Sequence, residues 1–357
     1  MSALPLLMPE GEISMTILTS WLTSVFYAGL LLGTLTSKPF IKKFGHKTSF
    51  VILQLCFALC LVLLATVHNQ YFWLIDRLVA GVVVGGIFVA VESWLLQGTN
   101  EGRRKRLSIY MGMLYAGSAL GQVALSYLGA HGIMPFVVSA SISVIAALSL
   151  LVLPNYEAEA EEPMLAVTIS GRRRVKLPAL MGCLVSGILL GTVYGMMPVQ
   201  LLKLEMTQEE IGTLMAIIIV GAMVVQPIIS ILSKKVGRTL LMSMFGLIGA
   251  ASLGLFWQIL HELTISMFLL GMAVFAFYPI AINLGSSTVA QQHMVGASQQ
   301  MLLTYSAGSI IGPMIASHFM IDASGLFDFL FIVLLTTSVY MLVVSIKSTD
   351  NQLLLHK

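Results

Sequence analysis

Charge is what this sequence has least of. Only 10% of its 357 residues are Asp, Glu, Lys or Arg, while 57% are hydrophobic. Soluble domains carry about 25% charged residues, so a water-soluble globular fold is excluded. Cysteine is scarce too. Cys56, Cys60 and Cys183 all fall inside apolar runs, which leaves neither a disulfide framework nor a metal-ligand spacing. They read as buried packing residues. No GxxxxGKS/T loop occurs, so direct drive by nucleotide hydrolysis has no support. The HELTI at His261 lacks the second histidine of a zinc-protease motif, and the other histidines are scattered over loops and helix ends. No metal centre, cofactor or catalytic cluster is expected, and an integral-membrane enzyme is the weakest function class. The net charge of +3 carries no nucleic-acid signal.

What is present is length of apolar run. About 20 such residues cross a hydrocarbon core of about 30 Å. Eleven runs qualify: 16–37, 48–67, 71–97, 107–129, 134–153, 178–200, 209–232, 239–260, 264–288, 296–319 and 327–346. They are continuous rather than alternating, which predicts helices and not barrel strands. The expected fold is an all-α, multi-pass membrane protein.

Orientation follows from the basic residues. Lys38, Lys42, Lys43 and Lys47 follow the first run, Arg103–Arg106 the third, Arg172–Arg174 and Lys176 the fifth, and Lys234, Lys235 and Arg238 the seventh. With Lys347 and Lys357 they place seventeen of nineteen basic residues on one side, which is cytoplasmic by the positive-inside rule. The carboxy terminus is therefore expected in the cytoplasm, and the segment MSALPLLMPEGEIS outside. That segment has no basic region before a cleavage site and does not read as a signal peptide.

Two motifs repeat at nearly one offset. YAGSALGQ at Tyr115–Gln122 returns as YSAGSIIGP at Tyr305–Pro313, with Gly117 and Gly121 answering Gly308 and Gly312, 191 residues on. KKFGHKT at Lys42–Thr48 returns as KKVGRT at Lys234–Thr239, 192 residues on. A parallel repeat of this kind builds two helical halves. Residues 1–153 form a five-span half, 154–177 a cytoplasmic linker, 178–346 a six-span half and 347–357 a cytoplasmic tail. The five-plus-six count, with ALPLL reading as the tail of a helix, leads to the expectation that one helix is missing at the amino end.

This arrangement resembles the major facilitator superfamily along the whole chain. KPFIKKFGHK looks like that family's signature loop, with Gly45 at the tight turn and Lys43 and Lys47 at basic positions. SILSKKVGR is its second-half copy, with Lys235, Gly237 and Arg238. RLVAGVVVG looks like the family's arginine–glycine motif, and the two glycine-rich stretches look like its fifth and eleventh helices. VES at Val91–Ser93, TVYGMMP at Thr192–Pro198, FYPIA at Phe277–Ala281 and LLTYSAGSIIGP at Leu302–Pro313 are similar to the YcaD-like branch. Departures exist. Lys42 and Lys234 stand where the family loop carries an aspartate, and Gln122 stands where antiporters carry a proline. The resemblance implies a monomeric transporter with two six-helix halves, of which the first lacks its first helix here.

Ionisable groups inside a bilayer are costly and mark function by default. Arg77 and Glu92 bracket one apolar segment of the third run. At 100° per residue, Arg77, Gly81, Gly85, Phe88 and Glu92 fall within an arc of about 80°, with the two charges about 22 Å apart along the axis. They are expected to face one pathway at two depths, with Gly81 and Gly85 allowing a close neighbour. The bland readings are a snorkelling Arg77 beside an interfacial Asp76, and a Glu92 that reaches cytoplasmic water. In the second half, Tyr194 shares a stripe with Gly187, Gly191 and Pro198, Tyr278 precedes Pro279 in mid-run, and Tyr305 precedes Gly308 and Gly312. These tyrosines are candidate solute contacts. The sequence thus points to a secondary transporter of a small solute in the plasma or inner membrane, working by alternating access, with proton coupling through Glu92 left open. A transport-fold sensor or inactive relative is the alternative.

Overall fold

Inside a bilayer every backbone N–H and C=O must find its partner within the chain, and uninterrupted apolar runs do this as helices. The computed structural model describes residues 12–67, 69–95, 100–128, 133–152, 175–257, 262–287, 294–321 and 324–355, and among these no strand occurs. The linker expected at 154–177 and the amino-terminal segment fall largely outside the described residues. The helices are α1 (Glu12–Thr66), α2 (Gln70–Leu95), α3 (Asn100–Leu128), α4 (Met134–Val152), α5 (Leu177–Lys203), α6 (Gln208–Leu232), α7 (Arg238–Ala251), α8 (Leu263–Ser286), α9 (Met294–Phe319) and α10 (Gly325–Leu355). A π-helical turn, Ser252–Trp257, continues α7.

Seven of these, α1, α2, α4, α5, α6, α8 and α10, are long and apolar enough to cross a membrane. α7 is the short one. α3 and α9 have the length but are diluted by Tyr110, Tyr115, Ser118 and Gln122 in one, and by Thr304, Tyr305, Ser306, Ser309 and His318 in the other. α1 contains both of the first two expected runs. Where a polar loop is expected at 38–47, helical geometry breaks at a single residue, Gly45, with φ 76° and ψ 165°. That backbone conformation is open essentially to glycine alone. The second copy of the motif turns differently: residues 233–237 leave the helix, and Gly237 caps α7 at φ −58°.

The chain divides into two compact units, Met1–Gly117 with Ala124–Met164, and Ser118–Val123 with Leu165–Lys357. In the first, α1 packs most extensively on α2 and then on α4. A Cβ added at Gly29 or Gly33 would strike the backbone carbonyls of Leu78 or Val82, and one at Gly81 or Gly85 those of Phe26 or Leu30. Backbones meet this closely only where both helices present glycine, and the contact adds van der Waals attraction that apolar lipid cannot replace. Towards the other end, Leu22, Leu61, Leu64, Trp73, Phe136 and Ala140 close an apolar cluster. The Trp73 indole donates to the Val67 carbonyl at 2.6 Å, and the Asn69 side chain accepts from the Tyr71 and Phe72 amides to start α2.

The second unit uses the same device twice. α5 meets α9 through Gly187 and Gly191 against the Tyr305 and Ser309 carbonyls, with Gly308 and Gly312 against those of Leu184 and Ile188. α6 meets α8 through Gly221 against the Phe268 carbonyl and Gly271 against that of Ile218. Buried serines tie the remaining helices: Ser243 donates to the Ser338 carbonyl at 2.9 Å and Ser266 to that of Ser252 at 2.7 Å. A capping box between Thr207 and Glu210 starts α6.

Candidate functional site

α2 holds two of its charged residues near its start, one turn beyond Trp73. Asp76 and Arg77 are both buried, 5% and 4% exposed, so Arg77 does not snorkel and Asp76 is not an interface residue. The guanidinium Nη2 lies 3.6 Å from Asp76 Oδ2, and its carbon sits 5.9 Å from the centre of the Phe26 ring on α1. Arg77 Nε, Arg77 Nη2 and Asp76 Oδ2 make no hydrogen bond among the described residues. The pair is held away from the surface with two donors and an acceptor unused among the described residues. Phe26 has no place in the sequence reading, and Asp76 stands there only as an interfacial residue. The available signal was a second ionisable residue in the same span. On the first limb of α1, Thr16, Thr19, Ser20, Thr23 and Ser24 are also buried, a stripe rich in hydroxyls.

Four turns along α2, Glu92 is part-buried and makes no hydrogen bond or ion pair among the described residues. Between the two charges, Gly81 and Gly85 lie against α1, so the stripe that carries Arg77 and Glu92 is closed by backbone contact in its middle. Beside Glu92, Ser93 Oγ lies 3.1 Å from His46 Nε2, and the His46 ring stacks on Trp94 with centroids 6.4 Å apart. His46 follows Gly45, so the bend is pinned to the end of α2. Lys47 donates to the Leu151 carbonyl of α4 at 3.3 Å, and Lys43 lies over the Phe44 ring. The second-half motif is looser: Lys235 and Gly237 are exposed, and the buried Nε of Arg238 has no hydrogen bond among the described residues.

In the second unit the three candidate tyrosines fall into two ring contacts. Tyr278 of α8 and Tyr305 of α9 have ring centres 4.7 Å apart at 51°. Tyr194 of α5 meets Phe275, one turn before Tyr278, edge to face at 6.0 Å. All three tyrosines are part-exposed. Gly308 and Gly312 sit within the α5–α9 contact, whereas a Cβ at Gly117 or Gly121 of α3 would meet nothing within 4 Å. No group of three His, Cys, Asp or Glu side chains among the described residues is placed to hold a metal ion.

The sequence model of the Major Facilitator Superfamily matches residues 1–313 and, separately, 179–350. The chain is 30% identical over 333 residues to the "uncharacterized MFS-type transporter YcaD" of Escherichia fergusonii, covering 92% of this chain and 86% of that one. An MFS-type transporter of Enterobacter sp. (strain 638) is 30% identical over 334 residues with the same coverage. Among solved structures, the nucleoside transporter NupG superposes with a TM-score of 0.71 at 16% identity, covering 98% of this chain and 92% of its own. A D-xylose-proton symporter gives 0.66 at 15% identity, covering 93% and 88%. At these identities the two structures speak for the fold.

Proposed function

The chain belongs to the major facilitator superfamily, and we propose that it is a secondary active transporter that moves a small solute across the plasma or inner membrane by alternating access, driven by protons. The observation that carries this reading is the buried Asp76–Arg77 pair. Two charges held out of water in an otherwise apolar helix cost several kcal/mol, and in membrane helices such groups serve the path of a solute or ion. The fold neighbours are transporters, one of them a proton symporter, which supports the same class. Arg77 engages the solute or the coupling step at one depth, and Glu92 takes up and releases the proton at the other. Tyr194, Tyr278 and Tyr305 contact the solute.

Counting the two limbs of α1 with α2 to α10 gives eleven crossings for these residues, with the basic turns and the carboxy terminus in the cytoplasm. The protein works as a monomer in this reading. Counterflow in proteoliposomes tests it: a preloaded solute should accelerate entry of its labelled form, and Arg77→Ala should remove that exchange. A chemically broad solute library that yields no counterflow, from protein shown to be folded, would leave a sensor or an inactive relative.

A further inference from the structure

We propose that the furrow between the second limb of α1, residues 46–66, and α4 seats an acyl chain of an anionic phospholipid, whose headgroup lies at Lys47 in the leaflet beside the basic bend. The proposal needs α1 and α4 to cross the membrane and does not depend on the solute or the coupling ion.

The furrow is the first observation. It has a volume of about 570 Å³. Buried Ala58 and Ala140 form its floor, and exposed Leu55, Leu59, Val62 and Ile145 stand along its rims. Small residues beneath branched ones leave a channel rather than a flat face. Ser141 is the one polar residue of the lining, and it spends its donor within α4 on the Val137 carbonyl at 2.8 Å. The seam is held at both ends. At one, Leu61, Leu64, Trp73 and Phe136 pack in the apolar cluster; at the other, Lys47 donates to the Leu151 carbonyl at 3.3 Å.

The second observation is alignment. At 100° per residue, Lys47, Val51, Leu55, Ala58 and Val62 fall within an arc of about 80° on the second limb. Lys47 therefore heads the same face that lines the furrow. A rise of about 1.5 Å per residue puts Leu55 about 12 Å and Val62 about 22 Å from it along the axis. The hydrocarbon core is about 30 Å thick, so one leaflet is about 15 Å deep. A chain anchored at Lys47 runs past Leu151 and Leu148, both exposed on α4, and enters the furrow at Leu55 before the midplane.

The third is charge. Lys38, Lys42 and Lys43 are exposed around the same bend. α1 has no acidic residue after Glu12, and α4 has no charged residue at all. Lipid tails are as apolar as leucine, so the furrow gains packing and no transfer out of water. Choice between lipids falls to the headgroup, where each lysine near an anionic membrane surface favours binding about fivefold. A zwitterionic lipid fits the furrow and forgoes that gain. A second transmembrane helix would fill it and leave the lysines without an anion.

Native mass spectrometry of the purified full chain in detergent, titrated with lipids of identical chains, tests this. Phosphatidylglycerol should be retained about tenfold more than phosphatidylcholine, the gain from one to two lysines. Lys47→Gln should lower phosphatidylglycerol binding about fivefold and leave phosphatidylcholine unchanged. Lys47→Arg, which keeps the charge, should bind as the parent does. Ser141→Trp, which fills the furrow from an exposed position, should reduce both lipids. Glycerophosphoglycerol has the headgroup without chains and should fail to compete. Lys235→Gln, in the second copy of the basic motif, should change nothing. Thermal unfolding of each variant in the same detergent shows that any loss of lipid comes from folded protein. Equal retention of the two lipids, equal losses from Lys47→Gln and Lys235→Gln, an inert Ser141→Trp, or competition by glycerophosphoglycerol would overturn the proposal. So would a lipid-independent dimer that Ser141→Trp splits into monomers, which would assign the furrow to a second copy of the chain.

Discussion

Arg77 Nη2 and Asp76 Oδ2 lie 3.6 Å apart in the first unit, with both side chains buried. Adjacent helical residues point about 100° apart, so the long arginine side chain bends back toward the short aspartate beside it. Removing one member leaves the other as an uncompensated buried charge, which costs about 3–5 kcal/mol. Arg77→Ala and Asp76→Ala should each lower the melting temperature and the folded yield. The double variant Asp76→Asn/Arg77→Gln should recover much of that stability and remain without counterflow. A double variant as unstable as the singles would show that the pair does not act as a unit.

Glu92 separates from Arg77 in its response to protons, because a carboxylate titrates in the accessible range while a guanidinium stays charged. Uptake by Glu92→Gln should no longer respond to an imposed pH gradient. Arg77→Lys should keep that response at a reduced rate, since lysine retains the charge but loses the planar fork. Radiotracer uptake in vesicles with and without the gradient measures both. A Glu92→Gln protein still driven by the gradient would remove Glu92 from the coupling step.

The two copies of the basic motif differ in backbone. Gly45 sits at φ 76°, where a side chain is strained by about 1–3 kcal/mol, whereas Gly237 has an ordinary negative φ and open space around it. Gly45→Ala should therefore lower thermal stability in detergent clearly more than Gly237→Ala, which should stay within about 0.5 kcal/mol of the parent as surface changes do. Equal effects at the two positions would mean that the bend at 45 is not held by glycine.

Glycine contact gives a sharper contrast. A side chain at Gly187 or Gly308 runs into backbone of the facing helix, which cannot yield as a side-chain tip does. Overpacking costs about 1–3 kcal/mol even where side chains can shift. Gly187→Val and Gly308→Val should reduce monodisperse protein on size-exclusion chromatography, while Gly117→Ala and Gly121→Ala should elute as the parent does.

The helical character of the chain was legible because apolar runs have one solution in lipid. The bend at Gly45 was harder to read: four lysines suggested a loop, yet helical geometry persists to within a residue of the glycine. The glycine partners were hidden for another reason. The sequence has 31 glycines, and which of them meets a facing backbone depends on where helices cross. The structure shows the repeat at the level of contacts. Gly29 meets the Leu78 carbonyl as Gly221, 192 positions later, meets that of Phe268. Asp76 reads from the sequence as an interfacial residue because it lies near the start of its apolar run, and its burial beside Arg77 depends on how α1 and α2 pack. Each tyrosine could be placed on its own helix, but the approach of Tyr278 to Tyr305 comes from the packing of α8 and α9.

The single-residue break at Gly45 also bears on how the polypeptide is made. Two limbs joined so tightly have no slack in which one could settle in the bilayer while the other waits outside. They are expected to enter together as a hairpin, with Lys38, Lys42, Lys43 and Lys47 around the bend. A chain that straightened here would present the bilayer with one rod from Glu12 to Thr66, far longer than the hydrocarbon core is thick.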